Sequence, residues 1–191
     1  MPEILRIFVS ATTDLENQRS IIARTLAELP VDIGAEIRRY PAEGASYETL
    51  FELIANVDRV YFLLGADITA PSGSEWDLAL RLERPIVALR RPARLTPAAE
   101  HFLRHAYEAV PPSDWHLFRN DAELARIVGL DLIDTLLHPS NRYGLTLPEI
   151  DRLRERLQQL RDRAGEVDSE PGGAEQGAVI LGRHSPSLTT P

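Results

Sequence analysis

Apolar segments of two kinds alternate along most of the chain. Short runs that few polar residues interrupt occur at 4–9, 58–64 and 85–89, a pattern typical of strands buried on both faces of a parallel sheet. A brief run at 115–118 predicts a further strand. Residues 31–40 form a more polar candidate, so we expect that strand to lie near an edge of the sheet.

The segments between these runs carry apolar residues at helical spacing. Within 47–55, the spacing predicts that Leu50, Phe51 and Ile54 face the core. The other predicted helices are one that contains Ile21, Ile22, Leu26 and Leu29 and ends at Pro30, and those at 76–82, 97–105 and 121–137. This alternation predicts an α/β fold: a five-stranded, mainly parallel, doubly wound sheet of the flavodoxin type with helices on both faces. Ligands of such sheets bind at the carboxyl ends of the strands.

The C-terminal part of the chain has a different pattern. Residues 147–164 form a predicted helix with a narrow apolar stripe, which suits packing onto the domain or pairing with a second copy. The later residues are rich in Gly, Pro, Ser and Glu, apart from an apolar patch at 178–181 that is a candidate docking peptide. We therefore predict an α/β domain at 1–138, a helical extension at 139–165 and a disordered tail at 166–191.

Composition excludes several kinds of chemistry. All 21 basic residues are arginine, so neither a lysine Schiff base nor the phosphate-binding lysine of a P-loop is present. The chain has no cysteine, and its histidines are scattered apart from His101 and His105, so we expect no metal site and no cofactor. A net charge of −8 argues against nucleic acid as a partner, although Arg90, Arg91 and Arg94 cluster locally.

The hydropathy of the chain indicates no membrane segment. The N-terminal residues lead directly into a strand pattern without the basic region and apolar run of a signal peptide, and no apolar stretch of about 18 residues occurs. We therefore expect a cytoplasmic protein that does not bind membranes.

The first candidate site follows the first predicted strand. Ser10, Thr12, Thr13 and Asp14 place hydroxyl groups and a carboxylate where a strand ends and a helix begins, a position suited to holding an anion or a ribose. Helix capping explains the same residues, because Thr13 and Glu16 have the spacing of a capping box. Both interpretations stay open on the sequence.

The second candidate site follows a predicted loop at 65–73. Its proposed ligand-binding residues are Gly65, Ser72, Ser74 and Trp76, and its two candidate catalytic residues are Glu75 and Asp77. A carboxylate here could orient ribose hydroxyls or stabilise an oxocarbenium-like centre, and an indole could stack on a base. Alternatively, Ser72 and Glu75 form a capping box and Trp76 belongs to the core. Residues two apart on a helix point in different directions, so we favour Glu75 over Asp77.

Two segments resemble a known family. Residues 4–19 (ILRIFVSATTDLENQR) resemble the opening of bacterial TIR-like (Toll/interleukin-1 receptor-like) domains of unknown function, and Asp14, Leu15 and Arg19 match its pattern. The segment WHLFRNDAELARIV is similar to the end of the same domains, so the resemblance covers residues 1–138.

The segment SGSEWDLALRLERPIVAL is similar to an acidic segment that those domains share with nucleoside 2-deoxyribosyltransferases. The matching residues are Ser72, Ser74, Glu75, Asp77 and Pro85. The resemblance implies binding of a nucleotide or NAD-like molecule and attack on its N-glycosidic bond by Glu75, or by Asp77 if the register follows the transferases. It also implies an effector in bacterial signalling or phage defence. The alternative that it implies is a non-catalytic module that assembles with copies of itself or with a signalling partner.

Overall fold

The fold is a five-stranded, all-parallel sheet with helices on both faces. The computed structural model describes residues 3–39, 41, 44 and 46–167. The strands are β1 (Leu5–Ala11), β2 (Ala35–Arg38), β3 (Arg59–Leu64), β4 (Ile86–Arg90) and β5 (Trp115–Leu117), and their order in the sheet is β2-β1-β3-β4-β5. Every pair of neighbouring strands is parallel. The predicted fold class is therefore confirmed.

In the part of the chain that the structure describes, six α-helices cover the two faces of the sheet. They are α1 (Glu16–Ala27), α2 (Tyr47–Ala55), α3 (Ala70–Arg81), α4 (Pro97–Ala109), α5 (Asp121–Leu136) and α6 (Leu147–Val167). The helices α1, α5 and α6 pack on one face of the sheet, and α2, α3 and α4 pack on the other. Among the described residues, we find no helix with both the length and the apolar character that crossing a lipid bilayer would need.

The sheet is buried on both sides because successive side chains of its central strands enter different cores. In β1, Ile7 and Val9 belong to the core beneath α1, α5 and α6, whereas Phe8 packs against α2 and α3. All three side chains are 1 % exposed or less. Double burial explains why the central strands read as continuous apolar runs instead of alternating ones.

Two predictions near the sheet edge need correction. The strand predicted at 31–40 does lie at the edge, but β2 covers only Ala35–Arg38, because it pairs with β1 over four residues alone. Phe51 was predicted to face the core and instead is 42 % exposed, whereas Leu50 and Ile54 are buried. The inward stripe of α2 consists of Leu50, Leu53 and Ile54, which pack against the same core, so Phe51 lies to the side of this stripe.

The helix α6 packs onto the α/β domain. Leu153 and Leu160 of its predicted apolar stripe are buried in the same core as α1 and α5. Glu149 stabilises the first turn of α6, because the Glu149 carboxylate accepts hydrogen bonds from the backbone N–H of Thr146 at 2.8 Å and of Asp32 at 3.0 Å. The helix continues to Val167, and the remainder of the predicted tail, 168–191, lies outside the described residues.

Candidate functional site

The first candidate site lies at the point where the sheet reverses its direction of winding. From β1 the chain moves to one side to form β2 and then crosses to the other side to form β3, so the crevice between the carboxyl ends of β1 and β3 is the topological switch point. Gly65 follows β3 directly, and Thr12 and Asp14 follow β1. The predicted residues of the first site and Gly65 of the second are thus neighbours.

Hydrogen bonds join the two strand ends. Thr12 Oγ1 accepts from the backbone N–H of Gly65 at 3.0 Å and donates to Asp14 Oδ1 at 2.6 Å. Asp14 Oδ2 accepts from the backbone N–H of Ala66 at 2.8 Å. The side chains of Thr12 and Asp14 therefore satisfy backbone donors of the neighbouring loop, which organises the edge of the sheet.

Position 65 has no room for a side chain. A Cβ atom at Gly65 would lie 1.9 Å from Asp14 Oδ2, far inside van der Waals contact. The Asp14 carboxylate is held there by its bonds to Thr12 and Ala66. Glycine is required at position 65 because this carboxylate occupies the space that a methyl group would take.

Thr13 does not occupy the N-cap position that the predicted capping box with Glu16 requires. Residues Thr13–Leu15 form a 3-10 turn, and α1 begins only at Glu16 with no side-chain cap. Glu16 instead accepts a hydrogen bond from Arg19 Nε at 2.8 Å. The guanidinium of Arg19 also donates to the carbonyl oxygens of Val9 and Ala11 at the end of β1. Arg19 therefore supports the end of β1. In the sequence, Arg19 stood out only because it matches the pattern of the family that the chain resembles.

The second candidate site lies on a helix that starts earlier than predicted. Residues 70–73 belong to α3 and not to a loop, because Thr69 caps the helix by accepting a hydrogen bond from the backbone N–H of Ser72. Pro71 stands in the first turn, where its missing N–H costs nothing. The capping box predicted for Ser72 and Glu75 is therefore wrong. In the sequence, the signal for this helix start is Thr69, which stands two residues before Pro71.

The early start of α3 decides which side chains face the sheet. Ser72, Glu75, Trp76 and Ala79 lie at helical spacing and are all buried, so they form the inward stripe of the helix. The Trp76 indole is 4 % exposed and packs among the rings of Phe62, Phe102 and Trp115. Trp76 therefore fits the core alternative rather than stacking on a base.

Of the two carboxylates on α3, Glu75 is buried and Asp77 is exposed. Glu75 is 2 % exposed and lies beside Ser10, which is completely buried on β1. Burial raises the pKa of Glu75 to about 7, although the Ser10 hydroxyl and the Arg19 guanidinium both act to lower it. Ser10 Oγ and Glu75 Oε2 have no partner with good hydrogen-bond geometry among the described residues. Glu75 is thus a carboxyl group that can gain or lose a proton near neutral pH.

The other two predicted polar residues of this segment lie away from Glu75. Asp77 is exposed and forms an ion pair with Arg81 one turn later. Ser74 is exposed and donates to the carbonyl oxygen of Ala70 at 3.1 Å. Together with Trp76, they line a shallow cavity of about 390 Å³ between α3 and α4. The structure therefore brings Ser10 and Glu75 together and separates Asp77 and Ser74 from them.

Arg90 is a basic residue at the same edge of the sheet. It ends β4, and its Nε is buried without a hydrogen-bond partner among the described residues. Another nitrogen of its guanidinium donates to Tyr107 Oη at 3.4 Å. Its position shows that the arginine cluster noted in the sequence begins at the carboxyl edge, one strand beyond Gly65.

Comparison with protein-family models and with curated protein sequences found no match to this chain.

Proposed function

We propose that the chain binds a nucleotide or NAD-like molecule at the carboxyl edge between β1 and β3, and that Glu75 acts on its N-glycosidic bond. The observation that carries this proposal is the burial of Glu75 beside Ser10 with its pKa raised to about 7. A buried, poorly paired carboxyl group lowers stability at neutral pH, and proteins retain such groups preferentially at functional sites. The position next to the topological switch point supports the same conclusion.

The chemistry follows from the two protonation states of Glu75. In its ionised form, the carboxylate stabilises the positive charge that develops on the ribose ring as the bond between C1′ and the base breaks. The bonding electron pair leaves with the base, and water or another acceptor then adds to C1′. A pKa near 7 keeps both forms of Glu75 populated at neutral pH, which suits proton transfer during the reaction. In this proposal, the Ser10 hydroxyl beside Glu75 orients the carboxylate when the ligand binds.

Ligand binding has a structural requirement in this proposal. Since Glu75 is 2 % exposed, the N-terminal turns of α3 must move away from β1 before a ribose reaches the carboxyl group. Arg90, whose Nε is unpartnered among the described residues, is the candidate for binding an anionic group of the ligand.

The test is an activity assay with a matched pair of variants. The purified full chain is incubated with NAD, a nucleoside and a nucleoside 5′-monophosphate, and release of the base is followed by chromatography. We expect Glu75→Gln to lower the rate by about 100-fold or more, and Asp77→Asn, an equally conservative change at an exposed carboxylate, to leave it near that of the wild type. A rate that Glu75→Gln does not change would contradict the proposed role of Glu75.

A second candidate function is a non-catalytic assembly module. The observation that favours it is a pair of exposed aromatic side chains, Tyr47 (59 %) and Phe51 (42 %), one turn apart on α2. This helix contacts the edge strand β2, because Arg38 donates hydrogen bonds to the carbonyl oxygens of Glu52 and Leu53. Among the described residues β2 pairs with β1 alone, and a free strand edge next to apolar side chains suits pairing with a second copy. Light scattering of the wild type and of Phe51→Glu tests this candidate. A monomeric wild-type chain would refute it.

A further inference from the structure

A larger cavity lies on the other face of the sheet from Glu75. Its volume is about 520 Å³, and it is bounded by residues of α1, α5 and α6 and by the turn that precedes α5. This volume is within the range of protein pockets that bind ligands. The proposed function at the β1 and β3 edge makes no use of this cavity.

Much of the lining of the cavity is apolar, and several of these residues are small. The apolar lining residues are Ala122, Ala125 and Gly129 of α5, Leu160 of α6, Leu29 and Leu117. A Cβ atom at Gly129 would lie 3.1 Å from Leu160 Cδ1, so the glycine allows α6 to approach α5 closely. The short side chains of Ala122 and Ala125 leave space on α5 that suits the insertion of an aliphatic side chain.

The rim of the cavity offers positive charge. Arg119 pairs with Glu123 at 3.6 Å, but among the described residues no carboxylate lies within ion-pair distance of Arg126 or Arg156. Glu28 is the remaining acidic residue of the lining. With three arginines and two glutamates, the charged part of the lining is net positive, and together with the apolar part it favours a segment that carries aliphatic residues close to acidic ones.

We propose that this cavity is the docking site of residues 178–181 of the same chain. These residues read Ala-Val-Ile-Leu, and the residues that precede them include Asp168, Glu170 and Glu175 but no basic residue from 168 to 181. The segment thus combines a short aliphatic run with acidic residues on its N-terminal side. Both features complement the lining of the cavity, which combines apolar residues with Arg126 and Arg156.

The connection is long enough for docking within one molecule. Leu160 lines the cavity, and α6 continues for seven residues to Val167, a distance of about 10 Å at about 1.5 Å per residue. Residues 168–177 span up to about 33 Å when extended, so they can turn back to the level of Leu160. Pro171, Gly172 and Gly173 are residue types that favour such a reversal.

The experiment uses disulfide trapping in the full-length chain, which has no native cysteine. The test pair is Ala125→Cys with Ile180→Cys, and the control pair is Ala98→Cys with Ile180→Cys, because Ala98 is exposed on α4 on the opposite face of the sheet. We expect the test pair to form an intramolecular disulfide severalfold faster than the control pair under mild oxidation. Circular dichroism confirms that both variants are folded.

Two further substitutions test the basis of recognition in the trapped pair. Val179→Asp removes the aliphatic match, and Arg126→Glu reverses the charge at the rim, so each is expected to slow disulfide formation severalfold. Equal rates for the test and control pairs would overturn the proposal. Disulfides that form only between molecules would also overturn it and would identify a second copy as the occupant.

Discussion

Replacing Glu75 with glutamine separates the charge of this buried side chain from its shape. Glutamine has nearly the same size as glutamate but does not ionise, so it removes the need to keep a carboxyl group protonated inside the protein. Glu75 is 2 % exposed and lies against Ser10 beneath α3, where burial raises its pKa from 4.5 to about 7. The substitution therefore changes how stability depends on pH.

The size of the effect follows from the shift in pKa. Between pH 4.5 and pH 7, Glu75 is ionised in the unfolded chain but protonated in the folded one, so the folded state binds one more proton and the free energy of unfolding falls as the pH rises. The difference between a pKa of 4.5 in the unfolded chain and about 7 in the folded chain corresponds to about 3 kcal/mol. In the wild type, this contribution to the free energy of unfolding is complete below pH 4.5 and is lost above pH 7. Glutamine does not ionise, so the free energy of unfolding of Glu75→Gln does not fall in this way.

Urea unfolding of both proteins between pH 4.5 and pH 8.5 measures the difference. The buried indoles of Trp76 and Trp115 serve as fluorescent reporters. We expect the free energy of unfolding of Glu75→Gln, relative to wild type, to rise by about 3 kcal/mol between pH 4.5 and pH 7 and then to stay constant. With a urea dependence of about 2 kcal/mol per molar, the midpoint shifts by about 1.5 M.

The pH dependence is the quantity that tests the reasoning. The buried amide that Glu75→Gln introduces adds a cost of its own, but that cost is the same at every pH and therefore shifts the whole difference curve without changing its shape. Asp77→Asn is the control, because Asp77 is exposed and its loss removes only a surface ion pair with Arg81. A difference curve for Glu75→Gln that is flat from pH 4.5 to pH 8.5 would refute the raised pKa.

Two further predictions concern the contacts that support the site and α6. Gly65→Ala is expected to lower the free energy of unfolding by about 2 kcal/mol, because the new methyl group displaces the Asp14 carboxylate from two hydrogen bonds. Urea unfolding should show a much smaller loss when the same substitution is made in the Asp14→Ala variant. Losses that add up in the double variant would contradict the clash. Hydrogen bonds lower the pKa of Glu149 to about 2, so its stabilising effect is complete above pH 4.5 and is lost as the pH falls toward 2. Glu149→Gln should therefore melt at a lower temperature than the wild type at pH 7, and the difference in melting temperature should disappear in acid. A difference that is independent of pH would argue against stabilisation by the ionised Glu149 carboxylate.

The strands of the sheet were largely predictable because the signal for a doubly buried strand is local. The runs at 58–64 and 85–89 correspond to β3 (Arg59–Leu64) and β4 (Ile86–Arg90), and the more polar run at 31–40 was correctly expected near an edge. The helices were predicted at their approximate positions from their apolar spacing. Their ends were less certain, since a helix can begin at any suitable cap: Thr69, not Ser72, caps α3.

What the sequence determined by itself about this protein is the order of its elements, and hence the parallel α/β fold, together with the candidate residues at the strand ends. These follow from hydrophobic periodicity, which acts over a few neighbouring residues. Only the tertiary structure decided the state of each candidate. Burial of α3 against β1, a strand more than 60 positions earlier in the chain, desolvates Glu75 and raises its pKa, whereas Asp77 stays in solvent. Desolvation and proximity depend on how distant segments pack, and no local pattern of residues contains that information.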